Sequence, residues 1–315
     1  MQINHCLIMS AGFGTRMGEV GKQLPKVLWP VFERSLLELQ VLYAKSLGIE
    51  SIYVNLHYQG EEIETFAKDK HAFEGVKFLW EKPEILDIGG AVHNLASQKD
   101  VNYKGNLLIL NADQFFYLTV DELKQKFQAY ANEAGVLFSY VVDSSLGYNA
   151  LDIDADRIVT NITPNQETKT SKIETYTGIS IVNLNKLTPQ KGASKFFESV
   201  LNYKKVKVPA VSLENVDYWD FGTAQRYYQT CFQVLKTYSI NSNHKFLRFL
   251  VTQRALKTWK IDLLKHSYHA ESELTINLSE NKLSSSIQKG IYLTTPDKSL
   301  EKKGIFWNGI VSEIK

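Results

Sequence analysis

Apolar runs of strand length recur through the first half of the chain, at "HCLIMS", "SIYVNL", "VKFLWE", "NLLILN" and "GVLFSYVV", and each adjoins a segment with helical spacing. Unbroken apolar strands alternating with amphipathic helices predict a mixed, mostly parallel sheet flanked by crossover helices, a Rossmann-like α/β core. The first helix is readable in detail. Ser35 and Glu38 form an S-x-x-E capping box, Leu36, Leu39, Tyr43 and Leu47 keep a helical period, and Gly48 supplies a stop. From about Leu151 to Val182 the pattern changes to "LDIDADRIVTNI" and "TYTGISIVN", two strand-like segments separated by a polar run from Thr163 to Lys172. These are expected to add antiparallel strands to the sheet, with the polar run as a surface loop of the kind that often borders a substrate.

After "WDFGTAQRYYQTCFQVLKTY" the pattern shifts again. Residues from about Asn241 to His269 read as helical, and Glu271 to Lys315 as short strands, with "KGIYL" at Lys289 echoed by "KGIFW" at Lys303. Two copies are too few for a repeat array, and the echo fits either a hairpin or a remnant of a β-solenoid cap. The expected organisation is a core over residues 1–238 and a smaller extension over 239–315, helical then β, serving as a homodimer surface or as a cover over the substrate pocket.

Composition narrows the function classes. A chain of 315 residues with 44% hydrophobic side chains can bury one main domain plus an appendage. The 36 Lys and Arg nearly balance the 34 Asp and Glu without forming a dense block, which argues against a nucleic-acid or anionic-membrane surface but allows a local cationic pocket. Cys6 and Cys231 are too few for a disulfide framework or a zinc site. With no apolar stretch near ~18 residues and no basic, apolar leader, the expectation is a soluble, cytoplasmic protein. His266 and His269 lie i,i+3 without neighbouring ligand types and read as surface or packing residues, and His93 reads as a helix-surface residue.

The chemistry concentrates in "LIMSAGFGTRMGEVGKQLPKVLWPV", Leu7 to Val31. With "LIMS" as a buried strand, Gly12 and Gly14 fall at its carboxyl edge, where open α/β sheets bind ligands. Glycines there let backbone N–H groups approach an anion, and Arg16 and Lys26 add charge-assisted contacts, so phosphate is the natural guest. A glycine pair after a strand is by itself as often a tight turn. Neither a Walker loop nor a dinucleotide fingerprint is present, since Gly-Lys-Ser/Thr is missing and Met17 stands where a third glycine would be needed. Asp113 follows "LLILNA" and Asp220 lies in "DYWDFGT", so each carboxylate sits at the end of an expected strand.

The whole set resembles the sugar-1-phosphate nucleotidyltransferases. "GFGTRM", Pro25-Lys26 and "LWPV" are similar to the family's G-x-G-T-R-[ML], Pro-Lys and apolar-Pro-Val segments. "NLHYQGEEIETF", "EILDIGGAVHNL", "LLILNADQFF", "YTGISIVN" and "YWDFGT" follow in the family's order, over roughly Met1 to Leu235. The resemblance runs nearest to short bacterial members acting on heptose, mannose or N-acetylmuramic acid 1-phosphates. It implies a magnesium-dependent transfer of a nucleotidyl group from a nucleoside triphosphate to a sugar 1-phosphate, with a slight lean to guanylyl transfer and uridylyl transfer close behind. It implies catalytic roles for Arg16 and Lys26. It implies nucleotide contacts at Ala11, Gly12, Gly14, Thr15, Glu84, Gly89 and Gly90, with Asp87 also near the base or ribose. It further implies sugar-phosphate contacts at Asn149, Lys172, Thr177 and Gly178, and Mg2+ held by Asp113 and Asp220.

Three positions depart from the family pattern. Ala112 replaces a glycine, Ile88 a threonine, and "TPNQ" stands where a Glu-Lys pair is common, leaving Lys169 or Lys172 to supply the charge. A second reading from another class is a nucleotide-sugar-binding regulatory homologue that keeps the fold without turnover. The four charged residues Arg16, Lys26, Asp113 and Asp220 favour the enzyme.

Overall fold

The computed structural model describes residues 2–214, 218–256, 275–278, 290–294 and 304–314. Its contacts divide the chain into two compact units, one of residues 1–12 with 43–218 and one of 13–42 with 219–315. The glycine-rich segment after Gly12 thus groups with the C-terminal part, a division different from the expected boundary at residue 238.

The first unit is built on a seven-stranded sheet in the order Ala210–Ser212, Gly135–Asp143, Lys172–Asn183, Asn106–Asn111, His5–Met9, Ser51–Leu56, Lys77–Trp80. Lys172–Asn183 runs antiparallel to both neighbours, and every other pairing is parallel. The central strands are apolar throughout because both faces are covered. Leu7, Leu107, Ile109 and Leu137 pack with Ala91, Val92, Leu95 and Ala96 of the Asp87–Ala96 helix in one buried cluster. All five predicted apolar runs are strands of this sheet.

"LDIDADRIVTNI" is not a single added strand. Ala150–Ile153 and Val159–Thr163 pair antiparallel as a separate two-stranded sheet. The reversal between them is made by Asp154, whose Oδ1 accepts from Asp156 N at 3.0 Å and Ile158 N at 2.8 Å, with Arg157 at φ 64°. An aspartate closing its own turn does the work usually signalled by glycine.

His93, expected on a helix surface, is 2% exposed. Burial, partly countered by the Ser199 backbone, lowers its pKa below the usual 6.5. The unfolded chain therefore takes up this proton first as pH falls, so stability present above about pH 6.5 is lost below it. Between pH 7.5 and 5, denaturant unfolding of His93→Leu should show a smaller loss of stability than the parent protein. An identical loss in both would remove His93 as its source.

In the second unit, Ser35 and Glu38 form the predicted capping box, with Ser35 N donating to Glu38 Oε2 at 2.9 Å and Glu38 N to Ser35 Oγ at 3.1 Å. The helix they open runs Leu36–Ser46, and the division between the units falls within it. Between the glycines and that helix lie the 3-10 turns Thr15–Met17 and Lys26–Leu28 and the short helix Gly18–Gly21. The Ala224–Ile240 helix is capped by Thr223, and Tyr227 on it sets its ring edge-on to Trp29, centroids 5.0 Å apart.

Of the helix expected over 241–269, Lys245–Thr252 is formed, burying Phe246, Leu247, Phe249 and Leu250. Residues 257–269, with His266 and His269, lie outside the described residues. Thr275–Asn277, Gly290–Tyr292 and Gly304–Trp307 pair in parallel, and Ile310–Glu313 closes antiparallel on the last of them. The sequence echo is a structural register: Gly290, Ile291 and Tyr292 stand opposite Gly304, Ile305 and Phe306. Parallel pairing excludes a hairpin between the copies and has the stacking of a β-solenoid. It also explains the paired glycines, since a Cβ at Gly290 would stand 2.5 Å from the Gly304 carbonyl oxygen. Among the described residues no helix is long and apolar enough to cross a membrane.

Candidate functional site

His5–Met9 pairs with Ser51–Leu56 on one side and Asn106–Asn111 on the other, so the strand order reverses there. Open α/β sheets bind ligands at the carboxyl ends of strands beside such a reversal. A cavity of about 230 Å³ lies at this place in the first unit. It is lined by Met9, Ala11, Gly12, Asn111 and Asp113 from the two strand ends, and by Asn55, Glu81, Ile85, Asp87 and Ile88 around them. A Cβ at Gly12 would meet nothing within 4 Å. Asp113 is 9% exposed, and Ala112 before it donates its N–H to the Met9 carbonyl at 3.2 Å.

Sequence reasoning missed the polar ladder behind this cavity. Ser10 N donates to Asn55 Oδ1 at 2.6 Å, Asn55 Nδ2 to Glu81 Oε1 at 2.7 Å, and Leu86 N to Glu81 Oε2 at 2.7 Å. Asn55 and Glu81 are both 1% exposed, and burial raises the Glu81 pKa against the lowering effect of these two hydrogen bonds. The ladder ties the end of the first strand to the Glu81–Leu86 loop. The signal was a lone asparagine inside "YVNL" and a glutamate closing "FLWE", polar groups that an apolar strand end buries only when paired.

The loop it holds carries the predicted nucleotide residues. Glu84 is exposed and lines no part of the cavity, whereas Asp87 lines it and stands at φ 55°. A left-handed aspartate stores about 1 kcal/mol of strain relative to glycine. Asp87→Gly should therefore raise the melting temperature by about 2 °C, read by scanning calorimetry. An unchanged or lower value would show that the Asp87 carboxylate makes contacts worth more than the strain. Gly89 and Gly90 are buried in the helix, where a Cβ would stand 2.5 Å from the Ser194 carbonyl oxygen and 2.6 Å from that of Gly192 respectively. Gly90 N donates to Ser194 O at 3.1 Å, so close packing alone requires glycine at both positions.

The predicted sugar-phosphate residues are divided. A Cβ at Gly178 (φ 82°) would stand 2.4 Å from Asn111 Nδ2, which places this turn against the end of the Asn106–Asn111 strand. Thr177 turns its hydroxyl inward, donating to Phe138 O at 2.8 Å. Asn149 is exposed, its carbonyl accepts from Thr175 Oγ1 at 2.7 Å, and its Oδ1 holds the N–H of Asn165 in the "TPNQ" segment at 3.1 Å. Lys172 is exposed and stands six positions up the strand from Gly178, roughly 20 Å at the usual rise, so the two are not brought together.

In the second unit Gly14, at φ 62°, turns the chain into Thr15–Met17. Met17 and Val20, both 0% exposed, pin this stretch and leave Thr15 and Arg16 exposed. Lys26 is half-buried, and its Cβ lies 3.5 Å from where a Gly14 Cβ would stand, so the lysine stem runs beside the glycine turn. Asp220 is 8% exposed. Its Oδ1 accepts from Gly222 N at 2.7 Å, its Oδ2 from Arg226 Nη1 at 2.8 Å, and its carbonyl from Thr230 Oγ1 at 2.6 Å.

Asp113 and Asp220 each offer hard oxygen donors from a largely buried position, the ligand type that magnesium takes. Among the described residues no group of three or more His, Cys, Asp or Glu gathers for a metal. Asp113 belongs to the first unit and Asp220 to the second, and each by itself is the kind of carboxylate that can hold an ion completed by water and phosphate oxygens.

Residues 5–237 match the nucleotidyl transferase family. The chain is 28% identical over 227 residues to D-glycero-alpha-D-manno-heptose 1-phosphate guanylyltransferase of Campylobacter jejuni, covering 70% of this chain and 96% of that protein. It is 31% identical over 162 residues to the bifunctional protein GlmU of Trichormus variabilis, covering 51% of this chain but only 34% of GlmU. HddC from Yersinia pseudotuberculosis, solved with GMP-PN, has the same fold, with a TM-score of 0.60 and 22% identity over 73% of this chain and 99% of HddC.

Proposed function

The chain belongs to the nucleotidyl transferase family, and from that premise we propose that it transfers a nucleotidyl group, guanylyl by preference, from a nucleoside triphosphate to a heptose- or mannose-type sugar 1-phosphate with release of pyrophosphate. The observation that carries the reading is the cavity at the strand-order reversal, lined by Gly12 and Asp113 at the ends of adjacent parallel strands. The choice of base and sugar is supported by the likeness to a heptose 1-phosphate guanylyltransferase along nearly all of its length.

The reaction brings two anions into contact, so fixed positive charge is the main requirement. On this reading Ala11, Gly12, Gly14 and Thr15 present backbone N–H groups to the triphosphate. Arg16 neutralises the departing pyrophosphate, and Lys26 balances the charge crowded around the α-phosphorus. Asp113 and Asp220 hold Mg2+, which when bound supplies further positive charge to the phosphate oxygens. Asp87, which lines the cavity, faces the nucleoside with Glu84 on the same loop, while Gly89 and Gly90 give the loop its packing. Gly178 borders the sugar side beside the end of the Asn106–Asn111 strand, whereas Thr177 is turned inward and Lys172 stands too far along the strand to meet the same sugar phosphate. No general base is needed, because the attacking phosphate oxygen is already ionised at neutral pH, and positioning carries the catalysis.

The test is pyrophosphate release with magnesium, crossing GTP, UTP, dTTP, CTP and ATP against heptose, mannose, N-acetylmuramic acid, glucose and N-acetylglucosamine 1-phosphates. Release from GTP with heptose or mannose 1-phosphate, stopped by a chelator, is expected. Silence across the panel would overturn the proposal.

A further inference from the structure

The last described strand reaches back to the glycine turn. Ser312, in Ile310–Glu313, is 1% exposed. Its hydroxyl accepts from Val20 N–H at 2.9 Å and donates to the Met17 carbonyl at 2.8 Å. These two backbone groups flank the junction at which the 3-10 turn Thr15–Met17 passes into the helix Gly18–Gly21. The Val20 amide belongs to the first turn of that helix and has no intrahelical carbonyl to meet. One hydroxyl from a residue 292 positions away thus satisfies a donor that the short helix cannot satisfy for itself and also binds the carbonyl of its N-cap residue, Met17.

The fit on the other side is as close. Gly18 stands at φ 70°, and a Cβ on it would lie 2.8 Å from Ser312 Oγ, so a side chain there would displace the hydroxyl. The strand carrying Ser312 is itself held, since Ser312 pairs with Ile305, which is 0% exposed, and Val311 packs on Tyr292 and Phe306. Met17 and Val20 anchor the turn from within. Arg16 is the residue immediately before Met17, so a shift of the Met17 carbonyl moves the backbone from which the guanidinium projects.

We propose that Ser312 is a positioning residue that holds the Thr15–Gly21 turn. Resting on the function proposed above, it thereby sets Arg16 against the departing pyrophosphate and makes the C-terminal strand part of the phosphate apparatus. The test is Ser312→Ala in the full chain, with Ser312→Cys, close in volume but a weaker hydrogen-bonding group, should the alanine variant not fold. Amide hydrogen exchange in peptides spanning residues 14–22 should accelerate about tenfold, without change in the seven-stranded sheet. The kcat should fall about tenfold and the KM for pyrophosphate in the reverse reaction rise about fivefold, while the KM for the sugar 1-phosphate stays within about twofold. Unchanged exchange at residues 14–22 overturns the brace. Faster exchange with parental kcat and pyrophosphate KM overturns the positioning role. If the parent protein turns over no substrate pair, the proposed function fails, and hydrogen exchange alone then upholds or overturns the brace.

Discussion

Asp113→Asn is expected to lower kcat/KM by at least about a thousandfold, and Asp220→Asn to do the same, each in a protein with a native circular dichroism spectrum. A thousandfold loss corresponds to about 4 kcal/mol of transition-state stabilisation. Asparagine keeps the shape of the side chain and one oxygen but removes the negative charge that a hard divalent cation requires. The two variants differ in a second readout. The Asp220 carboxylate holds Arg226 at 2.8 Å, with the two side chains 10% and 22% exposed, so neutralising it also removes the charge opposite a partly buried guanidinium. That costs about 1–3 kcal/mol, at the lower end of buried pairs because solvent still reaches this one, and lowers the melting temperature by several degrees. An Asp113→Asn or Asp220→Asn enzyme that retains more than about a tenth of parental turnover would remove that residue from the metal site.

Lys26→Ala is expected to lower kcat about a hundredfold while the KM for the triphosphate changes by less than about threefold. The division follows from when the charge is needed. A lysine that balances charge accumulating around the α-phosphorus acts mostly in the transition state, so its removal appears in kcat. Its stem runs beside the Gly14 turn and its body is half-buried, which favours a compact ammonium at a defined reach. Lys26→Arg should accordingly restore less than a tenth of the lost rate, since the broader guanidinium fork does not fit the same place. A variant with unchanged kcat and a raised triphosphate KM would mean that Lys26 serves ground-state binding only.

The legible parts of the fold were those whose signal is local. Strands buried on both faces read as continuous apolar runs, and the Ser35–Glu38 box spans one helical turn, so both could be placed from a few consecutive residues. The "KGIYL" and "KGIFW" echo likewise held the register of the C-terminal strands, although not their parallel direction. The reversal inside "LDIDADRIVTNI" was hidden because an aspartate side chain, not a glycine, makes it. His93 was misplaced because its burial comes from its place in the packed unit, which helical spacing alone does not reveal.

The site was legible in the residues that carry its motifs and illegible in those that support them. Gly12 and Asp113 do line one cavity. Asn55 and Glu81 depend on Ser51–Leu56 and Lys77–Trp80 pairing so that their polar ends align, which is a matter of register between strands about twenty-five residues apart. Asp87 lines the cavity for a similar reason, since the backbone turns into the left-handed region there and no local pattern in the sequence marks that turn. Ser312 lies farthest from any sequence signal, since nothing within Ile310–Glu313 marks a hydroxyl that serves the glycine turn.

Following the phosphates tests nucleotidyl transfer most directly. The protein is incubated with magnesium, heptose or mannose 1-phosphate, and GTP labelled in separate reactions at the α- or the γ-phosphorus. Cleavage at the α-phosphorus predicts that the α-label appears in a guanosine diphosphate sugar and the γ-label in inorganic pyrophosphate, in equal amounts and only with the metal present. A γ-label found on the sugar, or released as orthophosphate without an α-labelled sugar product, would contradict the account.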